Sequence, residues 1–269
     1  MSPGVFDAVR VLLCDADGNL FPSEEPAFVA SSQITNQFLA EHGVERRYDP
    51  EELRIATTGM NFRSTLVKLA LQHGIPVATE LVGAVVTERS VTSDPGAALL
   101  SPSVVDAWVA REKEAVTAHL RTVLKPDQEV LDPLDTLAGR YGLAAVSSSA
   151  DSRIAACFEV TGMAHYFPPA RRFSAEDSLP RPVSKPDPAI YLHAGAQLGI
   201  SAAEGVAIED SLAGATAAVA AGFPTIGNLQ FVQPEERDER HAVLTGAGVA
   251  AVVTSWREIL DLLPATATP

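Results

Sequence analysis

Two aspartates one residue apart follow a short, mostly apolar run near the start of the chain. The run covers residues 9–14, and Asp15, Asp17 and Gly18 come directly after it. Such a run is typical of a buried strand in a parallel sheet. Carboxylates at the end of a buried strand are costly unless a metal ion or a hydrogen-bond network meets them, and open α/β sheets bind ligands at this end. We therefore interpret Asp15 and Asp17 as candidate site residues, although Asp and Gly are also common where a strand turns.

Similar polar residues recur at three later points of the chain. Ser147 follows a second apolar run, Lys185 lies in a proline-rich loop, and Glu209 and Asp210 follow a third run. Each has a plainer interpretation: a helix N-cap for the serine, a solvated lysine, and an acidic helix start for the last pair. Because they recur in order at predicted strand ends or in nearby loops, we expect them to form one site.

The elements that would position these residues alternate between strand and helix from about residue 127 onward. Strands separated by helices imply right-handed βαβ units, so we predict an α/β fold with a doubly wound parallel sheet. The region 168–188 is predicted to be a loop. The other predicted segments are strands at 143–146, 206–208, 225–226 and 249–253, and helices at 131–141, 151–161, 189–198, 211–221 and after Ser255.

Residues 23–126 contain only helical patterns. The predicted helices cover 28–42, a segment from Pro50, 65–73 and 104–123. We therefore predict two domains, a Rossmann-like core formed by residues 1–22 and 127–269, and an inserted all-helical domain formed by residues 23–126.

Composition limits the partners and the compartment of the protein. The chain has 269 residues and a formal net charge of −14, which disfavours nucleic acid or an anionic membrane as the main partner. We find no apolar run of about 18 residues and no leader-like N-terminus. The two cysteines, Cys14 and Cys157, form no CxxC pair, so we expect free, buried thiols and a cytoplasmic location. Nothing in the sequence implies a protein partner.

The polar residues match, in order, the motifs of a known family. Residues 15–20 read as DxDGxL, Ser147 fits a strand-end Ser/Thr motif, residues 185–190 read as KPxPxI, and residues 209–214 read as EDSxxG. The sequence thus resembles the haloacid dehalogenase superfamily, in the branch with a helical cap inserted after the first motif. The resemblance covers essentially the whole chain. One departure is Asn19, where the family usually has Thr, and we expect that position mainly to shape the turn.

The resemblance implies a phosphatase that needs Mg²⁺. Asp15 would be the nucleophile and form an aspartyl phosphate, while Asp17 would protonate the leaving group and then deprotonate water. Asp15, the backbone carbonyl of Asp17 and Asp210 would bind the ion, with Glu209 binding it directly or through a neighbouring ligand.

The remaining motif residues are assigned to the phosphate. Ser147, the backbone N–H of Ser148 and Lys185 would hold the phosphate oxygens, because phosphate-ester hydrolysis requires stabilisation of a highly charged transition state. The substrate would be a small phosphorylated metabolite, such as a sugar phosphate or a phosphoglycolate-like acid.

Other activities of the superfamily fit the sequence less well. The dehalogenases and the phosphonate hydrolases lack an aspartate at the position of Asp17, and the latter use a cap lysine, for which Lys68 is the nearest candidate. A phosphomutase like β-phosphoglucomutase is a closer alternative, but its hinge histidine falls on Ala27 here. A non-catalytic binding protein on the same scaffold also stays open, although the complete motif set argues against it.

The cap also carries candidate substrate residues. Residues 58–63 resemble the family's specificity loop, in which Asn61 and Arg63 could contact substrate. Arg63 could clamp a phosphate or carboxylate bidentately, or it could be a surface arginine at a helix start. Residues 22–26 and 125–127 are the predicted hinges of cap closure.

Overall fold

The structure is a computed structural model that describes residues 4–57, 60–82, 99–181 and 183–265. The chain divides into two compact units. One, here called the core unit, is Met1–Ser23 with Leu124–Pro269, and the other, here called the cap unit, is Glu24–Val123. These boundaries lie close to those predicted from the change in sequence pattern.

The core unit contains a six-stranded sheet in which all neighbouring strands pair in parallel. The strands are β1 (Val11–Cys14), β2 (Gly142–Ser147), β3 (Arg172–Ser174), β4 (Gly205–Glu209), β5 (Thr225–Asn228) and β6 (Ala251–Val253). Their order is β3-β2-β1-β4-β5-β6, so the chain winds from β1 outward in both directions. The predicted doubly wound parallel sheet is confirmed.

Helices connect the strands and form the cap unit. The cap helices are α1 (Glu24–Glu41), α2 (Pro50–Ala56), α3 (Phe62–Gln72) and α4 (Pro102–Val123), and the core helices are α5 (Gln128–Ala138), α6 (Asp151–Thr161), α7 (Ala189–Leu198), α8 (Leu212–Ala220), α9 (Arg237–Gly246) and α10 (Trp256–Leu262). Among the described helices none is long and apolar enough to cross a membrane.

Two elements of the core unit differ from the sequence prediction. The region 168–188 is not entirely a loop, because Arg172–Ser174 pair with β2 as an edge strand. Helix α9 was not predicted at all, since its sequence is highly charged and Leu244 is its only buried residue. Both elements depend on contacts with neighbours that are distant in sequence.

The apolar residues of β1 explain its central position. Its four residues are all buried, as expected for a strand covered on both faces. Val11 and Leu13 join one cluster with residues of α7 and α8, including Ile190 and Ala217. Because side chains alternate along a strand, Leu12 and Cys14 point to the opposite face. The sheet is thus a rigid, closely packed support for whatever follows β1.

The cap unit has its own core. Helices α1 and α4 pack against each other, and the buried cluster includes Phe38, Leu66 and Trp108. Asp49 begins α2 with a capping box, in which its side chain accepts from the Glu52 N–H and the Glu52 carboxylate accepts from the Asp49 N–H. In the described part of this unit, loops connect the helices and a single bridge pairs Val77 with Leu100.

Candidate active site

The predicted site residues of the core unit lie at adjacent strand ends. In the sheet register, Cys14 is paired with Ala145 on one side and Ile208 on the other. Asp15 follows at once, and its N–H donates to the Ile208 carbonyl at 2.9 Å. Since β2 and β4 flank β1, the residues at all three carboxyl ends are brought to one edge of the sheet.

Lys185 connects the ends of these three strands. Its Nζ donates to Asp15 Oδ1 at 2.5 Å, to Glu209 Oε1 at 2.7 Å and to the Val146 carbonyl at 2.8 Å. These three acceptors use all three donors of the ammonium group. Although burial lowers the pKa of Lys185, the charges of Asp15 and Glu209 outweigh it and raise that pKa, so the lysine stays protonated.

Three carboxylates form a buried acidic cluster next to this lysine. Asp15, Glu209 and Asp210 each offer one oxygen, and these atoms lie within 4.8 Å of one another. Burial raises the pKa of Asp15, Lys185 opposes the rise, and Glu209 and Asp210 add to it. Lys185 contacts Asp15 and Glu209, so an ammonium group lies against two of the three carboxylates.

The donor set of this cluster fits a hard divalent cation. All the available ligand atoms are oxygens, which is the set that Mg²⁺ prefers. Glu209 Oε2 is buried and has no hydrogen-bond partner among the described residues. The orphaned oxygen and the close spacing of the carboxylates are the features that a bound cation would compensate.

Two glycines make room for these carboxylates. Gly214 lies in α8, where an added Cβ would come 1.8 Å from Glu209 Oε2. Gly18 has φ +79°, and a Cβ there would come 2.4 Å from Asp210 Oδ2. The glycines of the first and last sequence motifs are therefore explained by the space that the acidic side chains occupy. Tyr191 completes the surroundings of Glu209, because its hydroxyl donates to Oε1.

Asp17 has quite different surroundings from Asp15. Its carboxylate accepts from Ser23 Oγ at 2.6 Å, Ser149 Oγ at 2.7 Å, Arg153 Nη2 at 3.1 Å and Ser147 Oγ at 3.4 Å. Burial raises the pKa of Asp17, but the Arg153 charge and the bonds from Ser23 and Ser149 outweigh it, so the net shift is downward. The two neighbouring aspartates thus have opposite pKa shifts.

Several residues of this site were not predicted from the sequence. Ser23, Ser149 and Arg153 contact Asp17, and Tyr191 contacts Glu209, yet none was assigned a role. The run of serines at 147–149 was a usable signal for Ser149. Arg153 lies in the first turn of α6, and only the folded chain brings it to Asp17.

The unpredicted strand β3 supports the serine loop. Ser174 Oγ donates to the Ser149 carbonyl at 2.8 Å, and Asp177 accepts from the Asp151 N–H at 2.7 Å. Ser148 Oγ accepts from the Lys185 N–H at 3.3 Å, which joins the serine loop to the lysine loop. The edge strand therefore helps to hold the loop that contacts Asp17.

The two candidate substrate residues of the cap have contacts within the cap unit. Asn61 is the N-cap of α3, and its Oδ1 accepts from the Ser64 N–H at 2.9 Å. Arg63 forms an ion pair with Asp106, and Lys68 Nζ donates to the Ala56 carbonyl at 2.7 Å. Thr58 and Gly59 of the predicted specificity loop lie outside the described residues. Substrate binding by Asn61 and Arg63 stays a prediction.

Comparisons with known proteins identify the family of this chain. Residues 9–222 match the family model described as haloacid dehalogenase-like hydrolase. The chain is 25% identical over 215 residues to a 6-phosphogluconate phosphatase from Escherichia coli (strain K12), covering 80% of each chain. Family and relative together support the predicted class of enzyme, a phosphoric monoester hydrolase.

Solved structures agree in fold. A HAD family hydrolase from Deinococcus radiodurans R1, with bound phosphate and sodium, is 26% identical with a TM-score of 0.62, covering 96% of this chain and 98% of that one. CbbY from Rhodobacter sphaeroides, in complex with phosphate, is 21% identical with a TM-score of 0.63, covering 93% and 96%. The predicted superfamily is confirmed: the chain belongs to the haloacid dehalogenase-like hydrolases.

Proposed function

We propose that this protein is a Mg²⁺-dependent phosphatase that hydrolyses a small phosphorylated metabolite through an aspartyl phosphate on Asp15. The observation that carries the proposal is the buried group of Asp15, Lys185, Glu209 and Asp210, in which the three carboxylates each offer one oxygen within 4.8 Å of the others. A buried carboxylate cluster of this kind destabilises a fold unless it binds something positive. Binding of a cation would offset the free energy that burial of these carboxylates costs.

Asp15, Asp210 and the backbone carbonyl of Asp17 are our proposed ligands of the ion. Glu209 Oε1 accepts from both Lys185 and Tyr191, so we assign Glu209 mainly to holding its neighbours in place. When bound, Mg²⁺ would neutralise charge on the transferring phosphoryl group.

Asp15 is the proposed nucleophile. Its carboxylate oxygen forms a bond to phosphorus while the bond from phosphorus to the leaving oxygen breaks. The Lys185 bond at 2.5 Å orients the carboxylate, and the ammonium charge opposes the rise in the Asp15 pKa that burial produces. Ser147, the Ser148 N–H and Lys185 would hold the phosphoryl oxygens during this transfer, for which Lys185 would exchange one of its three present acceptors.

Asp17 is the proposed general acid and base. It would donate a proton to the leaving alkoxide and then take one from the water that hydrolyses the aspartyl phosphate. The lowered pKa of Asp17 keeps it ionised at neutral pH, which is the state that the second step requires. For the first step it must carry a proton, so the contacts from Ser23, Ser149 and Arg153 have to permit protonation once substrate binds.

A phosphorylated sugar or sugar acid is the substrate class that we would test first. The E. coli relative is named a 6-phosphogluconate phosphatase, and at 25% identity this name suggests a class rather than a compound. We propose that Arg63 and Asn61 contribute to substrate selection. Because Arg63 is paired with Asp106, it would have to exchange that carboxylate for a substrate anion. A phosphoglycolate-like acid would be tested in the same substrate panel.

Transfer to water is favoured over transfer to a second sugar hydroxyl. The mutase alternative depends on a hinge histidine, whose position falls on Ala27 in α1, and all the residues of α1 are described and include no histidine. This observation supports a phosphatase.

Phosphate release tests the proposal. We expect Mg²⁺-dependent release from p-nitrophenyl phosphate and from a panel of sugar phosphates, abolished by a chelator. Asp15→Asn should lower kcat by more than about 1,000-fold, because it removes the nucleophile. Asp261→Asn, which alters an exposed aspartate of α10, is the matched control and should leave kcat unchanged. A folded protein that binds Mg²⁺ and releases no phosphate from any compound would favour a mutase or a binding protein.

A further inference from the structure

Asn19 occupies a fully buried position directly after the first motif. Its Nδ2 donates to two backbone carbonyls at once, that of Asp15 at 2.9 Å and that of Ile208 at 3.2 Å. Its Oδ1 accepts from Asn228 Nδ2 at 2.8 Å. One side chain thereby connects the ends of β1, β4 and β5.

The same asparagine belongs to a closed ring of hydrogen bonds. Asn228 Oδ1 accepts from the Gln230 N–H at 3.1 Å, and Gln230 Oε1 accepts from the Trp256 N–H at 3.0 Å. Trp256 Nε1 donates to the Asn19 carbonyl at 2.9 Å, which closes the ring. Asn19, Asn228 and Trp256 are all fully buried. A satisfied buried network of this kind fixes the orientation of each member.

The two carbonyls that Asn19 binds belong to the acidic cluster's own backbone. Asp15 is a member of the cluster, and Ile208 directly precedes Glu209 and Asp210. Repulsion among the three carboxylates favours separation of the ends of β1 and β4, and Lys185, which donates to both Asp15 and Glu209, offsets part of it. The bonds from Asn19 oppose this separation.

A threonine could not replace Asn19 in this arrangement. A hydroxyl has one donor hydrogen, whereas the Asn19 amide donates to two carbonyls and also accepts from Asn228. The departure of this chain from the usual family residue at position 19 is therefore paired with Asn228 at the end of β5. Residue 19 does more than shape the turn.

We propose that Asn19 and Asn228 are positioning residues that determine the metal affinity of the cluster of Asp15, Glu209 and Asp210. They hold the ends of β1 and β4 at the separation that the ion requires before it binds, so that binding does not have to order them. The inference depends on the proposed function, since it takes this cluster as the metal site.

Metal binding without substrate is the test. Isothermal titration of Mg²⁺ into the full chain would be compared for wild type, Asn19→Leu, Asn228→Leu and the double variant. Loss of residues that orient metal ligands costs about tenfold to a hundredfold in affinity, and we expect each single variant to fall in that range. The double variant should bind no more weakly than the weaker single variant, because both substitutions break one network.

The control is a buried polar residue of the core unit that lies outside the ring. Thr161 Oγ1 donates to the Cys157 carbonyl at 2.8 Å within α6. Thr161→Val should lower the melting temperature and leave the Mg²⁺ dissociation constant within about twofold, since it removes a buried bond without altering the ring. This comparison separates a loss of stability from a loss of metal positioning.

A milder variant keeps the inference testable if the asparagine variants do not fold. Trp256→Phe removes the Nε1 bond to Asn19 together with part of a buried ring, and we expect a smaller but measurable weakening of Mg²⁺ binding beyond that of Thr161→Val. Unchanged Mg²⁺ affinity in folded variants of the ring would overturn the inference. A wild type that binds no Mg²⁺ would overturn both the inference and the proposed function, whereas one that binds Mg²⁺ but releases no phosphate would overturn the function alone.

Discussion

The core unit contains buried ion pairs in addition to an exposed one, whereas the described ion pairs of the cap unit are all exposed. In the core unit, the side chains of Lys185 and Asp15 are 5% and 9% exposed. In the cap unit, Arg46 and Glu52 are 53% and 45% exposed. Exposed pairs contribute about 0–1 kcal/mol to stability, while buried charges are expensive to desolvate and are retained when they have a use. The difference indicates that the core unit gives up stability to maintain a charged site.

The first prediction concerns removal of Lys185 from its buried contacts with Asp15 and Glu209. Lys185→Met leaves Asp15 and Glu209 buried without their common cation, so we expect a loss of about 3–5 kcal/mol in unfolding free energy near neutral pH. Arg46→Met in the cap unit should cost no more than about 1 kcal/mol. Denaturant titration measures both values, and equal losses would contradict the contrast between the two units.

This loss should depend on pH. The pKa of Asp15 is raised by burial, and removing Lys185 raises it further because that lysine opposes the rise. Protonation of Asp15 then removes a charge that lacks a partner. The Lys185→Met variant should regain stability relative to wild type as the pH falls.

The second prediction tests the space around Glu209. Gly214→Ala would place a Cβ 1.8 Å from Glu209 Oε2, so the carboxylate must move, and we expect a loss of about 1–3 kcal/mol together with weaker Mg²⁺ binding. Gly246→Ala is the matched control, because Gly246 ends α9 with nothing within 4 Å of an added Cβ. It should stabilise by up to about 1 kcal/mol. Two substitutions with the same sign would contradict this reading of Gly214.

The third prediction concerns the other aspartate. Arg153→Gln removes the strongest influence that lowers the pKa of Asp17, so that pKa should rise towards or above its ordinary value of 3.8. A group with a lowered folded-state pKa stabilises the protein above the unfolded-state pKa, and this contribution is lost as the pH falls through the folded-state pKa. The variant should therefore be less stable than wild type at neutral pH, with a smaller difference in acid.

Carboxyl NMR of the metal-free protein measures the pKa of Asp17 directly. Melting curves at neutral and acid pH measure the stability difference. An Asp17 pKa that does not change in Arg153→Gln would show that the serines alone hold it low, and Ser149→Ala would then be the variant to examine.

The placement of the strand-end residues could be predicted from the sequence because it follows from topology, while their roles stay a prediction. Asp15 and Asp210 directly follow β1 and β4, and Ser147 and Glu209 are the last residues of β2 and β4. These strands are adjacent in a parallel sheet, so pattern and strand order suffice to bring the four residues to one edge. The contacts of Asp17 with Ser23 and Arg153 depend on side-chain directions that no periodicity encodes. The same is true of the partners of Asn19.

Strand β3 and helix α9 could not be predicted from the sequence, for physical reasons. Strand β3 has only three residues and lies in a region rich in proline and arginine, so it forms because β2 offers it an edge. Helix α9 has a single buried residue, Leu244, which packs against Leu229 and Ala215. Each element is stabilised by contacts with residues distant in sequence, and its own sequence lacks the hydrophobic periodicity from which it could be predicted.

The placement of the two thiols has a practical consequence. Cys14 in β1 and Cys157 in α6 are both buried, and burial raises the pKa of the Cys14 thiol, which suppresses the reactive thiolate. Both lie in the core unit, and residues 24–123 contain no cysteine. The rate at which a thiol reagent labels the native protein would thus measure how often the core unit opens. Partial unfolding confined to the cap unit would leave both cysteines unlabelled.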